Sequence, residues 1–279
     1  MMIMLENLHF EVRSESNPLG LAQIREFLHY RDLFFFLARR DVLVRYKQTV
    51  FGAAWAIFNP LATTAVFAVF FGYLGGLPSD GIAYPAFILV ALLPWIMFST
   101  ILQNVTNSLP SNTALVSKIY FPRLTLPLAS VATPIVDFLV GLPVLVGALI
   151  YYGVMPDLKW LACPLFLILG MGLVVGLGLI LAALIVTYRD LRYLVTFLIQ
   201  MTMFVSPVTY SSSLIPERWQ FLYSLNPMVP VLNGLRWSLL GTPAPSAVSL
   251  AVASSLALIL ILGGTRFFYH SSDTFADAI

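Results

Sequence analysis

Six apolar stretches, at about 54–77, 85–109, 128–152, 161–187, 194–210 and 247–265, leave this chain few ways to fold. An α-helix rises about 1.5 Å per residue and the hydrocarbon layer of a bilayer is about 30 Å thick, so about 20 apolar residues suffice to cross it. Each stretch meets or nearly meets that length, and Asp137 is the only formal charge inside any of them. The expected fold is an all-α integral membrane protein of six transmembrane helices. Hydrophobic residues make up 59% of the chain and charged ones 10%, against about 25% charged in soluble domains. A soluble protein of this size could not hide that much apolar surface, whereas a bilayer needs it exposed. The net charge of +2 gives no sign of a nucleic-acid partner, and the single cysteine, Cys163, cannot form an intramolecular disulfide.

Lysine and arginine fall on alternate sides of the spans. With both termini on one side, that side holds Arg13, Arg25, Arg31, Arg39, Arg40, Arg45, Lys47, Lys118, Arg123, Arg189, Arg192 and Arg266, and the other only Lys159, Arg218 and Arg236. The positive-inside rule therefore puts both termini of this multi-pass protein in the cytoplasm. The opening MMIMLENLHF lacks a basic n-region leading into an apolar core, so no cleaved signal peptide is expected and the first span serves as the targeting signal.

The segments between the spans divide the chain further. Residues 1–23 form a polar cytosolic tail, and 24–49 an amphipathic interface helix ahead of the six-helix domain at 50–279. In that helix Tyr30, Leu33, Leu37 and Val44 share one face and Arg25, Asp32 and Arg39 another, as for a helix with its apolar side in lipid and its basic side wet. The alternative is a plain cytosolic extension. Between spans two and three, Ala114 to Tyr120 spell two helical turns stopped by Pro122, giving a stiff basic element that either docks onto a partner or merely connects. The YRDLRY loop at 188–193 reads as a cytoplasmic turn. Outside, Trp219–Leu225 and Met228–Leu240 flank Asn226 and Pro227. The longer piece, about 20 Å as a helix, is too short to cross and lies on the surface or dips in and returns, as a gate would.

Four segments carry a family resemblance: RYKQTVFGAAW at 45–55, LLPWIMFS at 92–99, KIYFPRLTLPLAS at 118–130 and the long run 206–241 from SPVTYSSS to RWSLLG. In that order and spacing the chain resembles the membrane subunit of a type 2 ABC exporter, of the branch that moves O-antigen, capsule and teichoic-acid polymers. The resemblance implies a homodimer seated on two separate ATP-hydrolysing subunits, with ATP and Mg on those partners and no cofactor bound by this chain. It implies that Arg39, Lys118, Tyr120, Phe121 and Arg123 couple to the nucleotide-binding subunit. It assigns the outer gate to Asn226, Pro227, Pro230, Arg236 and Trp237, and the lining of a central passage to spans one and five. No GxxxxGK[ST] occurs anywhere in the chain, so it carries no phosphate-cradling loop and is not itself an ATPase. Within the 170–178 run, Gly172 and Gly176 form a small-xxx-small pair suited to close helix packing.

A sugar polymer needs an enclosed passage, because moving one unpartnered hydroxyl into hydrocarbon costs roughly 4–8 kcal/mol. Aromatic walls suit the CH faces of sugars, and Phe67, Phe70, Phe71 and Tyr73 in span one, with Phe197, Phe204 and Tyr210 in span five, are the candidates. The family's usual carrier is an undecaprenyl-type pyrophosphate. Arg39, Arg40, Arg45 and Lys47, at headgroup depth, are the residues that could grip it through charge-assisted hydrogen bonds; ordinary headgroup binding is the rival reading. Asp137 marks a functional position by default, either paired with a neighbouring helix or protonated. A proton-coupled transporter would need a second acidic or histidine relay residue in the spans, and a membrane glycosyl or phosphoryl transferase would need clustered carboxylates or a metal set; the sequence offers neither.

Overall fold

The structure, a computed structural model, describes residues 28–47, 52–118, 121–272 and 275. Every regular element among them is helical. The interface helix is α1 (Arg31–Lys47); α2 (Gly52–Phe67) runs on as a π-helix over Ala68–Leu74; α3 is Tyr84–Asn107. A short 3₁₀ turn at Pro110–Asn112 leads into α4 (Thr113–Lys118), followed by α5 (Thr125–Ala129) and α6 (Ala132–Tyr151). Then come α7 (Cys163–Thr187), α8 (Leu191–Val205), α9 (Glu217–Ser224), α10 (Met228–Leu240) and α11 (Ala247–Ser271).

Five segments are long and apolar enough to cross a membrane: Ala54–Leu74, Tyr84–Asn107, Thr125–Tyr151, Leu158–Thr187 and Ala247–Ser271. The fifth expected span differs. Instead of 194–210 the helix occupies Leu191–Val205, 15 residues, or about 22 Å at the helical rise. Ser206 is extended ahead of Pro207, which disfavours helical geometry in the residue before it. The last helix, by contrast, continues to Ser271, past the expected end at 265.

α3 is the axis of the fold. It is apolar on all sides, so it can be buried on all sides; Ala86 through Leu93 are nearly inaccessible, and α2, α6, α7, α8 and α10 all pack on it. The glycine-rich α7 is shared between two partners. A Cβ on Gly170 or Gly178 would lie 2.4 Å from Phe98 or 2.7 Å from Val105 on α3, and one on Gly176 would lie 2.5 Å from the backbone of Leu260 on α11. Gly172 also faces α11, against Ile261, so the expected small-xxx-small contact forms there.

α1 packs against α5 and α6. Leu37 and Ala38 are buried, with Tyr30, Leu33 and Phe34 beside them. The sequence places Tyr30, Leu33, Leu37 and Val44 together on a lipid face. In the fold the first three sit on protein, and Val44 points outward with Phe35, Phe36 and Leu43. A 100° periodicity identifies a face but not what covers it. Residues 24–27 and 48–51 of the expected helix and its junction, and Tyr120 of the coupling element, lie outside the described residues.

Candidate coupling junction and outer cap

On the side expected to face the cytoplasm, α1 carries two polar ties. Arg40 donates through Nε and Nη2 to Asp41 Oδ1 (2.9 and 2.8 Å), and Nη2 also reaches Asn112 Oδ1 at 2.9 Å, in the turn that opens onto α4. One and a half turns further along, Arg45 Nη2 lies 2.6 Å from Asp137 Oδ2 on α6, and the Tyr46 hydroxyl donates to the other carboxylate oxygen. The intramembrane charge singled out in the sequence is therefore an ion-paired carboxylate. Burial, and then the hydrogen bond to Asp137, push the Tyr46 pKa above the usual tyrosine range, so the hydroxyl remains a donor. A small cavity of mixed lining, about 80 Å³, opens beside Asp137 against Trp55, Asn59 and Thr100 among others.

The four basic residues expected to act together are thus divided. Arg45 turns inward to Asp137 and Arg40 to Asp41 and Asn112. Arg39 and Lys47 stay exposed and, with Arg40, Phe36, Leu43 and Val44, line an open groove of about 370 Å³. In the coupling element Val116 is buried and Lys118 exposed. Phe121 is tucked into the core, while the Arg123 guanidinium stands 5.9 Å over the ring of Phe275, tying this loop to the C-terminal end.

The opposite side, expected to lie outside, is built around Arg236, which is only 2% exposed. Its guanidinium donates to the carbonyls of Val208 (2.9 Å), Tyr210 (3.2 Å) and Phe87 (3.4 Å) and lies 3.6 Å over the Phe87 ring. Burial lowers the pKa of the group. Carbonyl dipoles and an aromatic face hold the charge without a direct carboxylate. Arg236 anchors the short helix that carries the expected gate residues. It clamps α10 to the loop after α8, and Trp237 packs edge-on against Phe166 at 6.2 Å. Asn226 caps α10 by accepting from the Met228 N–H and donates to Ser206 Oγ; Pro230 is buried and Pro227 half-buried.

A second set of contacts in this cap has no counterpart in the sequence reading. Ser211 Oγ lies 2.8 and 2.7 Å from the two carboxylate oxygens of Asp80, Ser213 Oγ is 3.2 Å from one of them, and Tyr84 donates to the Thr209 carbonyl at 2.7 Å. The loops that follow α2 and α8 are therefore joined outside. Asn233 and Ser212 exchange hydrogen bonds of 2.9 and 3.1 Å beneath them. The run Ser211–Ser213 was the available signal, but nothing in the chain says which carboxylate it meets.

The candidate passage residues lie on the two thinly covered helices α2 and α8, except Tyr210, which was expected in the fifth span and falls in the loop after α8 because that helix ends at Val205. Among described residues, α2 and its π-helical end bury only Pro60 and Thr64, and α8 only Val195 and Ile199. Phe70, Tyr73, Phe197 and Phe204 are exposed; Phe67, Phe71 and Tyr210 are half-buried, the first two in an edge contact at 5.5 Å. Trp55 and Phe58, paired at 5.6 Å and exposed, belong with them and were missed, though their i, i+3 spacing was visible. An apolar cavity of about 270 Å³ lies behind α8, between it and α3 and α7.

The ABC-2 type transporter family model matches residues 32–240, from the interface helix through α10. This chain belongs to the ABC-2 type transporter family. The matched region takes in both the inner junction and the outer cap, so the two clusters are parts of an ABC-2 membrane subunit. Among similar proteins, the O-antigen export system permease protein RfbA of Myxococcus xanthus is 28% identical over 260 residues, 92% of this chain and 98% of that one. The protein of the same name from Klebsiella pneumoniae is 30% identical over 207 residues, 74% of this chain and 78% of its own length. The polysialic acid transport protein KpsM of Escherichia coli is 22% identical over 233 residues, covering 82% and 89%.

Proposed function

We propose that this chain is the membrane subunit of an exporter that carries a lipid-linked polysaccharide, an O-antigen, from the cytoplasmic to the outer side of the bacterial inner membrane. It acts as a homodimer, with both termini cytoplasmic, on two ABC ATPase subunits that bind ATP and Mg. The observation that carries this reading is the pair of thinly covered spans, α2 and α8, whose outward aromatics suit the CH faces of sugars. A second copy placing its own α2 and α8 opposite them would enclose a passage. The relatives named for O-antigen export, at 28 and 30% identity, favour that polymer over the capsular one suggested by the 22% relative.

In this reading Lys118, Phe121 and Arg123, with Tyr120, form the element that docks on the ATPase, and Arg39 stands close to it. The exposed Arg39 and Lys47 meet the anionic pyrophosphate of the carrier lipid. Arg40 and Arg45, committed to Asn112 and Asp137, hold the interface helix in place. Deleting the gene should strand lipid-linked polymer inside the cell. The unsubstituted gene should restore export, and a copy with Arg39→Gln and Lys47→Gln should insert normally yet export poorly. Undiminished surface polymer in the deletion strain would reject the function; full export by the double variant would reject the phosphate role alone.

A further inference from the structure

The two ties on α1 stand five residues apart, about 7.5 Å along the helix. One joins it to the turn that opens onto the docking segment, through Arg40 and Asn112; the other joins it to the third span, through Arg45, Tyr46 and Asp137. The opposite face of α1 carries exposed Phe35, Phe36, Leu43 and Val44, so the protein holds the helix from one side only. Only residues 48–51 separate α1 from the start of the first span. We infer that Asp137 is a positioning residue for coupling: it pins the end of α1 to the third span, so that a displacement of the docking element that begins at Ala114 is passed to the start of the first span instead of being lost in sliding of α1. The charge is what matters. Asp137 has its two oxygens divided between a guanidinium and a phenol, and a neutral amide there cannot balance Arg45. This rests on the transporter reading above.

The test uses the whole complex, this chain with its ATPase partner, in nanodiscs and proteoliposomes. Asp137→Asn and Arg45→Gln should each lower ATP-driven transport by about tenfold while ATP hydrolysis by the co-purified complex stays within about twofold, and the reciprocal exchange Arg45→Asp with Asp137→Arg should recover at least about a third of transport. Tyr46→Phe, a milder change, should cost about twofold to threefold. Normal transport by the single variants, hydrolysis falling in parallel with transport, or an exchange no better than the singles would overturn the inference. A readout independent of transport decides it as well. Spin labels at Phe35→Cys and Leu139→Cys, in a Cys163→Ser background, should give one narrow distance distribution that broadens with Asp137→Asn; an unchanged distribution rejects the positioning role. If the unsubstituted complex shows no ATP-driven transport, the transporter reading fails, and the spin-label result still settles Asp137.

Discussion

The inner junction and the outer cap both centre on an arginine, and they hold it in opposite ways. Arg45 meets a carboxylate, and the two side chains are 44% and 16% exposed; Arg236 meets carbonyl dipoles and a ring in a site closed to water. A half-wet ion pair is worth little net and exchanges readily, whereas a buried charge that loses its partners is strongly destabilising. The outer cluster is thus suited to fixing the position of α10 and the loop after α8. The inner cluster adds little to stability and serves instead to set the position of α1 against the third span.

The contrast can be broken most directly at Arg236. Arg236→Met leaves the carbonyls of Val208 and Tyr210 without their donor and should destabilise the protein by about 2–6 kcal/mol, seen as collapse of yield and of the melting temperature in nanodiscs; a stable variant would remove the distinction. Gly234→Val should come next. A Cβ there would stand 2.1 Å from the Phe166 ring, so overpacking should cost about 1–3 kcal/mol, measured the same way. Asp80→Asn keeps the shape but weakens the bonds from Ser211 and Ser213, for a loss of about 1 kcal/mol; a loss as large as that of Arg236→Met would mean that this tie, and not the guanidinium, frames the cap. Smallest in stability should be Arg40→Gln, under about 1 kcal/mol for a partly exposed pair between neighbouring residues, although coupled transport should fall. Equal melting temperatures with reduced transport would sharpen the comparison; a large loss of stability would erase it.

The spans were legible because length and apolar content are one-dimensional quantities, and four of the six fell within a few residues of their expected ends. α10 was legible as too short to cross because Pro230, Asn233 and Arg236 interrupt its apolar run. What a sequence lacks is the identity of the neighbour. Asp137 could be flagged as a charge in lipid, but the residue that answers it, Arg45, lies 92 positions earlier in a cluster of four similar cations. Periodicity placed Leu37 on a face without saying that α5 and α6 cover it. Arg236 was assigned to the outer gate through the family resemblance; only the fold brings Val208, Tyr210 and Phe87 around it. The shortened fifth helix follows from Ser206–Pro207, a signal present in the chain but outweighed by the apolar residues on either side.

The central claim is that this chain carries polymer and that a separate protein supplies the energy. Proteoliposomes holding the purified complex, loaded from outside with lipid-linked O-antigen and then given ATP, test it in one step. Translocation of the polymer to the lumen should require both the ATPase partner and ATP, and should stop when that partner's catalytic carboxylate is neutralised. Movement by this chain alone, or at the same rate without nucleotide, would contradict the account.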